Sequence, residues 1–126
     1  MGVIISEFFV PGLFPGMNEI ISVNRVSKYE GNRTKWAEQS RVVAAIRQAR
    51  LKPVQNYPVI IEMEWIEKNF KRDPDNIAAA KKFVLDAMQI AGLIRNDGRH
   101  EIISFSDTFK TDRRNPGVLV RIYEER

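Results

Sequence analysis

Between residues 57 and 67 the run YPVIIEMEWIE alternates, with Val59, Ile61, Met63 and Trp65 on one side and Glu62 and Glu64 on the other. A period of two predicts a half-buried strand. Residues 3–10, rich in Val, Ile and Phe and stopped by Pro11-Gly12, predict a second strand. EIISFSDTF (101–109) and GVLVRIYE (117–124) predict two more, the last with Val118, Val120 and Ile122 alternating. Helical spacing fills the intervals. MNEIISVNR (17–25) suits a short helix. From about residue 32 to 49 neither Gly nor Pro interrupts Trp36, Val42, Val43 and Ile46, and Arg33, Lys35, Arg41 and Arg47 form a basic outer face. From 76 to 91, Ile77, Ala80, Val84, Ala87, Met88 and Ala91 recur at helical steps, and Gly92 supplies the stop.

The breakers separate these elements cleanly. PGLFPGMN (11–18), Pro53 and Asn-Tyr-Pro at 56–58 are loop signals, and IRNDGRHE is a turn. KNFKRDP and KTDRRNP are basic loops. The order β-α-α-β-α-β-β predicts an α+β fold: a mixed sheet of about four strands with two main helices against it. One helix-linked crossover and a terminal hairpin of the last two strands would build that sheet. With no internal repeat and no long linker, residues 1–126 read as one domain.

Composition narrows the chemistry. The absence of cysteine removes disulfides, zinc-thiolate sites and thiol nucleophiles. No apolar run approaches the ~20 residues of a membrane span. The first residues lack a basic leader region and carry Glu7, so they read as strand and not as a signal peptide. The net charge is +4, and it becomes more basic still if several acids are committed to a metal, which suits a polyanionic partner.

Two acidic motifs then stand out. KRDPDN (71–76) sets Asp73 and Asp75 one residue apart; the pair is either a helix start with Asp75 or Asn76 as cap, or half of a metal site. It is no EF-hand loop, which needs more ligands, a glycine and a closing glutamate. Asn96-Asp97-Gly98 is either a tight turn or a second acidic contribution. A helix of about 16 residues spans ~24 Å, so Asp97 reaches Asp73 only if the connection brings it back along the sheet edge. Lys82 lies seven residues after Asp75 and four before Asp86. In one continuous helix it shares the face of Asp75, while Lys81 is turned about 120° away. That face is either a solvated ion-pair face or the source of a cation for a phosphate transition state. His100 reads as a surface or strand-start residue.

KRDPDN followed by KKFVLDAMQIAGLIRNDG resembles the RusA family of Holliday junction resolvases, common in phages and prophages. The likeness is clearest over residues 71–104. It implies that Asp73, Asp75 and Asp97 are metal ligands, that Lys82 is the catalytic lysine, and that the cofactor is Mg²⁺, with Mn²⁺ as a substitute. It implies a homodimeric endodeoxyribonuclease of the cytoplasm acting on four-way DNA junctions by paired nicks. The chain departs from the family pattern twice: about three extra residues, near Ala78-Ala79-Ala80, precede the lysine, and Asn96 stands where an acid is usual. Lys68, Lys71, Arg72, Arg95, Arg99, Lys110, Arg113 and Arg114 fall in loops flanking the acids, where the expectation is contact with DNA phosphates. The alternative reading is a non-catalytic phage DNA-binding or regulatory module on the same fold.

Overall fold

The computed structural model describes residues 2–125. Its elements are β1 (Ile4–Pro11), α1 (Met17–Val26), α2 (Lys28–Gln48), β2 (Val59–Glu67), α3 (Pro74–Ala78), α4 (Lys81–Ile90), β3 (Ile102–Thr111) and β4 (Gly117–Glu124). The fold is α+β, with one mixed four-stranded sheet in the order β1-β4-β2-β3. No described helix is long and apolar enough to cross a membrane.

The alternation of β2 sets the core. Val59, Ile61, Met63 and Trp65 are buried on the face that the helices cover, together with Val118, Val120 and Ile122 of β4 and Phe8 and Val10 of β1. Val42, Ala45 and Ile46 of α2 and Val84, Ala87 and Met88 of α4 close over them. The start of α2 lies earlier than the pattern implied, because Ser27 caps it and its hydroxyl accepts the Glu30 N–H at 3.0 Å. Gly92 ends α4 as expected. At φ +76° it lets the Leu93 N–H return to the Met88 carbonyl at 2.9 Å, closing the last turn.

Two expectations are corrected. The final two strands do not form a hairpin. β4 lies between β1 and β2, antiparallel to both, and β3 is the outer neighbour of β2, parallel to it. Burial explains this choice. β4 offers a fully apolar face and takes a central place, while only Ile102 of β3 is buried, so β3 is left at the edge. The connection 112–116 therefore passes over the end of β2, where the Asp112 N–H donates to the Glu67 carbonyl at 2.8 Å.

The single helix expected over 76–91 is also two. Ala80 N–H bonds the Ile77 carbonyl and Phe83 N–H the Ala80 carbonyl, both three-residue steps, so the ladder is re-phased at Ala79-Ala80. Helical phase counted from Asp75 does not carry through to Lys82.

Candidate functional site

The loop that leaves β2 carries the first cluster. Asp73 is the N-cap residue of α3 with Pro74 behind it, yet its carboxylate makes no capping bond and has no other partner among the described residues. A carboxylate in the N-cap position normally accepts a helix N–H. Here it stays open to solvent. Asp75 lies in the first turn, where its Oδ1 accepts the Asn76 N–H at 2.9 Å. Both acids line a polar cleft of about 280 Å³ with Met17, Asn18, Lys71, Arg72 and Asn76. Asn76 pins this segment to the N-terminal loop by accepting the Asn18 N–H at 3.2 Å. A Cβ at Gly16 would stand 2.6 Å from Asn76 Oδ1, so a larger residue there would displace the Asn76 side chain.

The second cluster forms around Lys82, whose ammonium lies 3.0 Å from Asp86 and 3.0 Å from Asp97. Beyond Gly92 the chain runs back along α4 and brings Asp97 there. Gln39 of α2 donates to Asp86 at 3.2 Å. Hydrogen bonds to Asp86 first, and then to Asp97, push Lys82 above the usual lysine range. Of the acids that the resemblance groups as one ligand set, Asp73 and Asp75 share a cleft, whereas Asp97 engages Lys82. Among the described residues no three His, Asp or Glu side chains gather to hold a metal ion. The break in the helix at Ala78–Ala80 falls between Asp75 and Lys82 in the chain.

Lys81 is differently engaged. It bonds Asp107 of β3 at 2.5 Å and lies 4.4 Å from the centroid of the Phe105 ring, while the other Asp107 oxygen accepts the Trp65 indole N–H at 2.8 Å. This half-buried network ties α4 to the sheet.

The eight basic residues expected at phosphates divide in the same way. Arg72 is a strut: it grips Glu67 with two nitrogens at 2.8 Å each and donates to the Phe14 carbonyl at 2.9 Å. The Glu67 bonds raise its pKa further. Lys110 is not in a loop, because pairing of Ile66 with Lys110 and of Glu67 with Thr111 extends β3, and its ammonium bonds Glu64. Arg95 pairs with Glu101 at 3.0 Å over the Tyr57 ring. Lys68, Lys71, Arg99, Arg113 and Arg114 have no ion pair among the described residues. Arg113 and Arg114 follow Asp112 at the end of the sheet where Lys68 and Lys71 leave β2, whereas Arg99 lies beyond the other end, just before Glu101 meets Val59. His100 is an exposed turn residue.

Sequence reasoning missed Phe70, the most exposed large apolar side chain among the described residues at 91%. Its signal was available: an aromatic residue inside the basic run KNFKRD.

Neither a protein-family model nor a curated protein matches this chain.

Proposed function

We propose that the chain is a Mg²⁺-dependent endodeoxyribonuclease that resolves four-way DNA junctions by paired symmetric nicks. The observation that carries this reading is the loop from Lys68 to Asn76. It sets two solvent-open carboxylates, Asp73 and Asp75, in one loop with the ammonium groups of Lys68 and Lys71, unpartnered among the described residues, and the bare ring of Phe70.

Mg²⁺ commonly takes one or two carboxylates and keeps its other positions for water and phosphate oxygens. Asp73 and Asp75 fit that mode, and Asp97 is engaged by Lys82. Such an ion, when bound, polarises the phosphodiester and lowers the pKa of an attacking water. The chain's own residues do the rest. Lys68, Lys71, Arg113 and Arg114 hold phosphates on either side of the acids. Phe70 stacks an unpaired base exposed at the branch. Lys82, its proton held by Asp86 and Asp97, serves as a fixed cation and not as an acid. Symmetric nicks need two sites related by a two-fold axis, so the working unit is a homodimer in the cytoplasm.

The alternative, a non-catalytic DNA-binding module, draws support from the engagement of Asp97 by Lys82. One experiment separates the two. The protein is incubated with a synthetic four-way junction and a matched duplex, with and without Mg²⁺. Metal-dependent nicks confined to the junction support the nuclease; binding without nicks in any divalent metal supports the module.

A further inference from the structure

Next to the cleft of Asp73 and Asp75 lies a larger one of about 650 Å³, and the two share Lys71 and Arg72. Its charges are sorted. Lys68 and Lys71 stand at the exposed mouth, whereas the carboxylates of Glu38 and Glu67, only 13% and 10% exposed, lie deeper. Leu13, Phe14 and Pro15 supply an apolar wall. Inside, Glu67 is neutralised by Arg72 and Glu38 by Arg41, so the unpaired positive charge stands at the mouth, where it attracts a phosphate.

The interior also keeps unspent hydrogen-bonding capacity. The Thr34 hydroxyl and the Asn69 side-chain NH₂ have no partner among the described residues. Glu38 receives a single Arg41 nitrogen, 2.9 Å from each oxygen, which leaves lone pairs free. The walls are held in place beforehand: Arg41 grips the Pro11 and Leu13 carbonyls at 2.7 and 3.1 Å, and Arg72 grips that of Phe14. The volume falls within the usual range for a small-ligand pocket, roughly 300–1,000 Å³.

We infer that this cleft receives one extrahelical nucleobase of the bound strand, next to the phosphate at Asp73 and Asp75, with its sugar-phosphate on Lys68 and Lys71 and its N–H edge on Glu38. The inference rests on the proposed nuclease reading and adds to it a base-reading site. A branch point is where such a base is cheapest to extrude, because its stacking is already broken. Glu38 and Thr34 then set which base is preferred at the cut.

An abasic scan tests this. Single abasic nucleotides are placed in turn at each position around the branch of a four-way junction, and nicking and binding are measured for the parent, Thr34→Trp, Glu38→Gln and Phe70→Ala proteins. The parent should lose about tenfold in nicking at one position, the worth of one stacked base. Thr34→Trp, which fills the cleft, should nick the intact junction more slowly and be indifferent to that abasic site. Glu38→Gln should keep the sensitivity and change which base at that position is cut fastest. If Thr34→Trp fails to fold by circular dichroism, the altered base preference of Glu38→Gln decides alone. A parent that nicks junctions without any abasic-sensitive position overturns the base site and leaves the nuclease standing. So does sensitivity abolished by Phe70→Ala and untouched by Thr34→Trp. A parent that neither binds nor nicks junctions overturns both readings.

Discussion

The outer face of the sheet and the loop after β2 are both rich in charge, and they use it in opposite ways. On the sheet, Arg121 of β4 stands opposite Glu7 of β1 and Glu62 of β2 in the strand register, and bonds them at 2.7 and 2.9 Å. It also reaches Glu64 at 3.2 Å, and Lys110 bonds the same carboxylate. In the loop, the side chains of Lys68, Lys71 and Asp73 have no partner among the described residues. A ladder fixes which residues stand across from each other, so opposite charges on paired strands meet. A loop imposes no such pairing. Charge spent within the fold is structural; charge left over is available to a ligand. Arg72 and Lys81 show that neither sequence position nor residue type assigns a side chain to one group or the other.

The sharpest way to break this contrast is to remove a free carboxylate. Asp75→Asn and Asp73→Asn should fold with near-parental thermal midpoints, because the Asp73 carboxylate makes no capping bond and asparagine at 75 keeps an oxygen to accept the Asn76 N–H. Both should bind junctions at least as tightly as the parent and lose at least about 100-fold in Mg²⁺-dependent nicking, since loss of a mere outer-shell partner of a metal ligand already costs about 10–100-fold. A fully active Asp75→Asn protein would return the segment to a plain helix start.

The adjacent lysines come next. Lys81→Ala leaves the half-buried Asp107 carboxylate without its cation and should lower stability by about 1–3 kcal/mol in urea titrations. Lys82→Ala removes a largely exposed ammonium, so it should lower the urea midpoint less than Lys81→Ala does, and it should lower nicking by at least about tenfold. The reverse pattern would assign the catalytic cation to Lys81 and the structural one to Lys82.

Smaller effects belong to the free arginines. Arg113→Glu with Arg114→Glu should weaken junction binding and reduce the slope of log affinity against log salt by about one for each lost phosphate contact. An unchanged slope would remove them from the interface. Arg72→Gln should lower stability without touching that slope.

The smallest effect concerns pH. The hydrogen bond from Lys110 holds Glu64 below the ordinary glutamate range, against the opposing effect of burial. Its folded pKa thus lies under the unfolded value of ~4.3, and its stabilisation is complete above that and lost as pH falls through the folded value. Glu64→Gln should therefore show a flatter decline of unfolding free energy below about pH 4.3. Coincident profiles for parent and variant would show that the outer-face network does not couple to folding.

Much of this was legible in local pattern. The buried face of β2, the apolar alternation of β4 and the stop at Gly92 follow from periodicity and one backbone requirement. The D-x-D step and its basic flanks stood in plain view in the loop that follows β2. Less legible was anything that needed a neighbour from elsewhere in the chain. Lys110 looked like a loop cation because the strand that extends past it is held by β2, and Arg72 looked free because Glu67 is on the core face at a strand end.

Residue order by itself determined which stretches could become strands and helices, which face of each must be buried, and where two carboxylates and their cations fall in one loop. Those properties depend on steps of two to four residues, which the chain carries locally. Only the tertiary structure decided that β4 enters between β1 and β2, that the helix breaks at Ala79-Ala80, that Lys81 serves the sheet while Lys82 serves Asp86 and Asp97, and that Asp97 is held by that lysine. Each of these is a competition for burial or for a charge partner among segments distant in sequence, and such a competition is settled when the whole core closes.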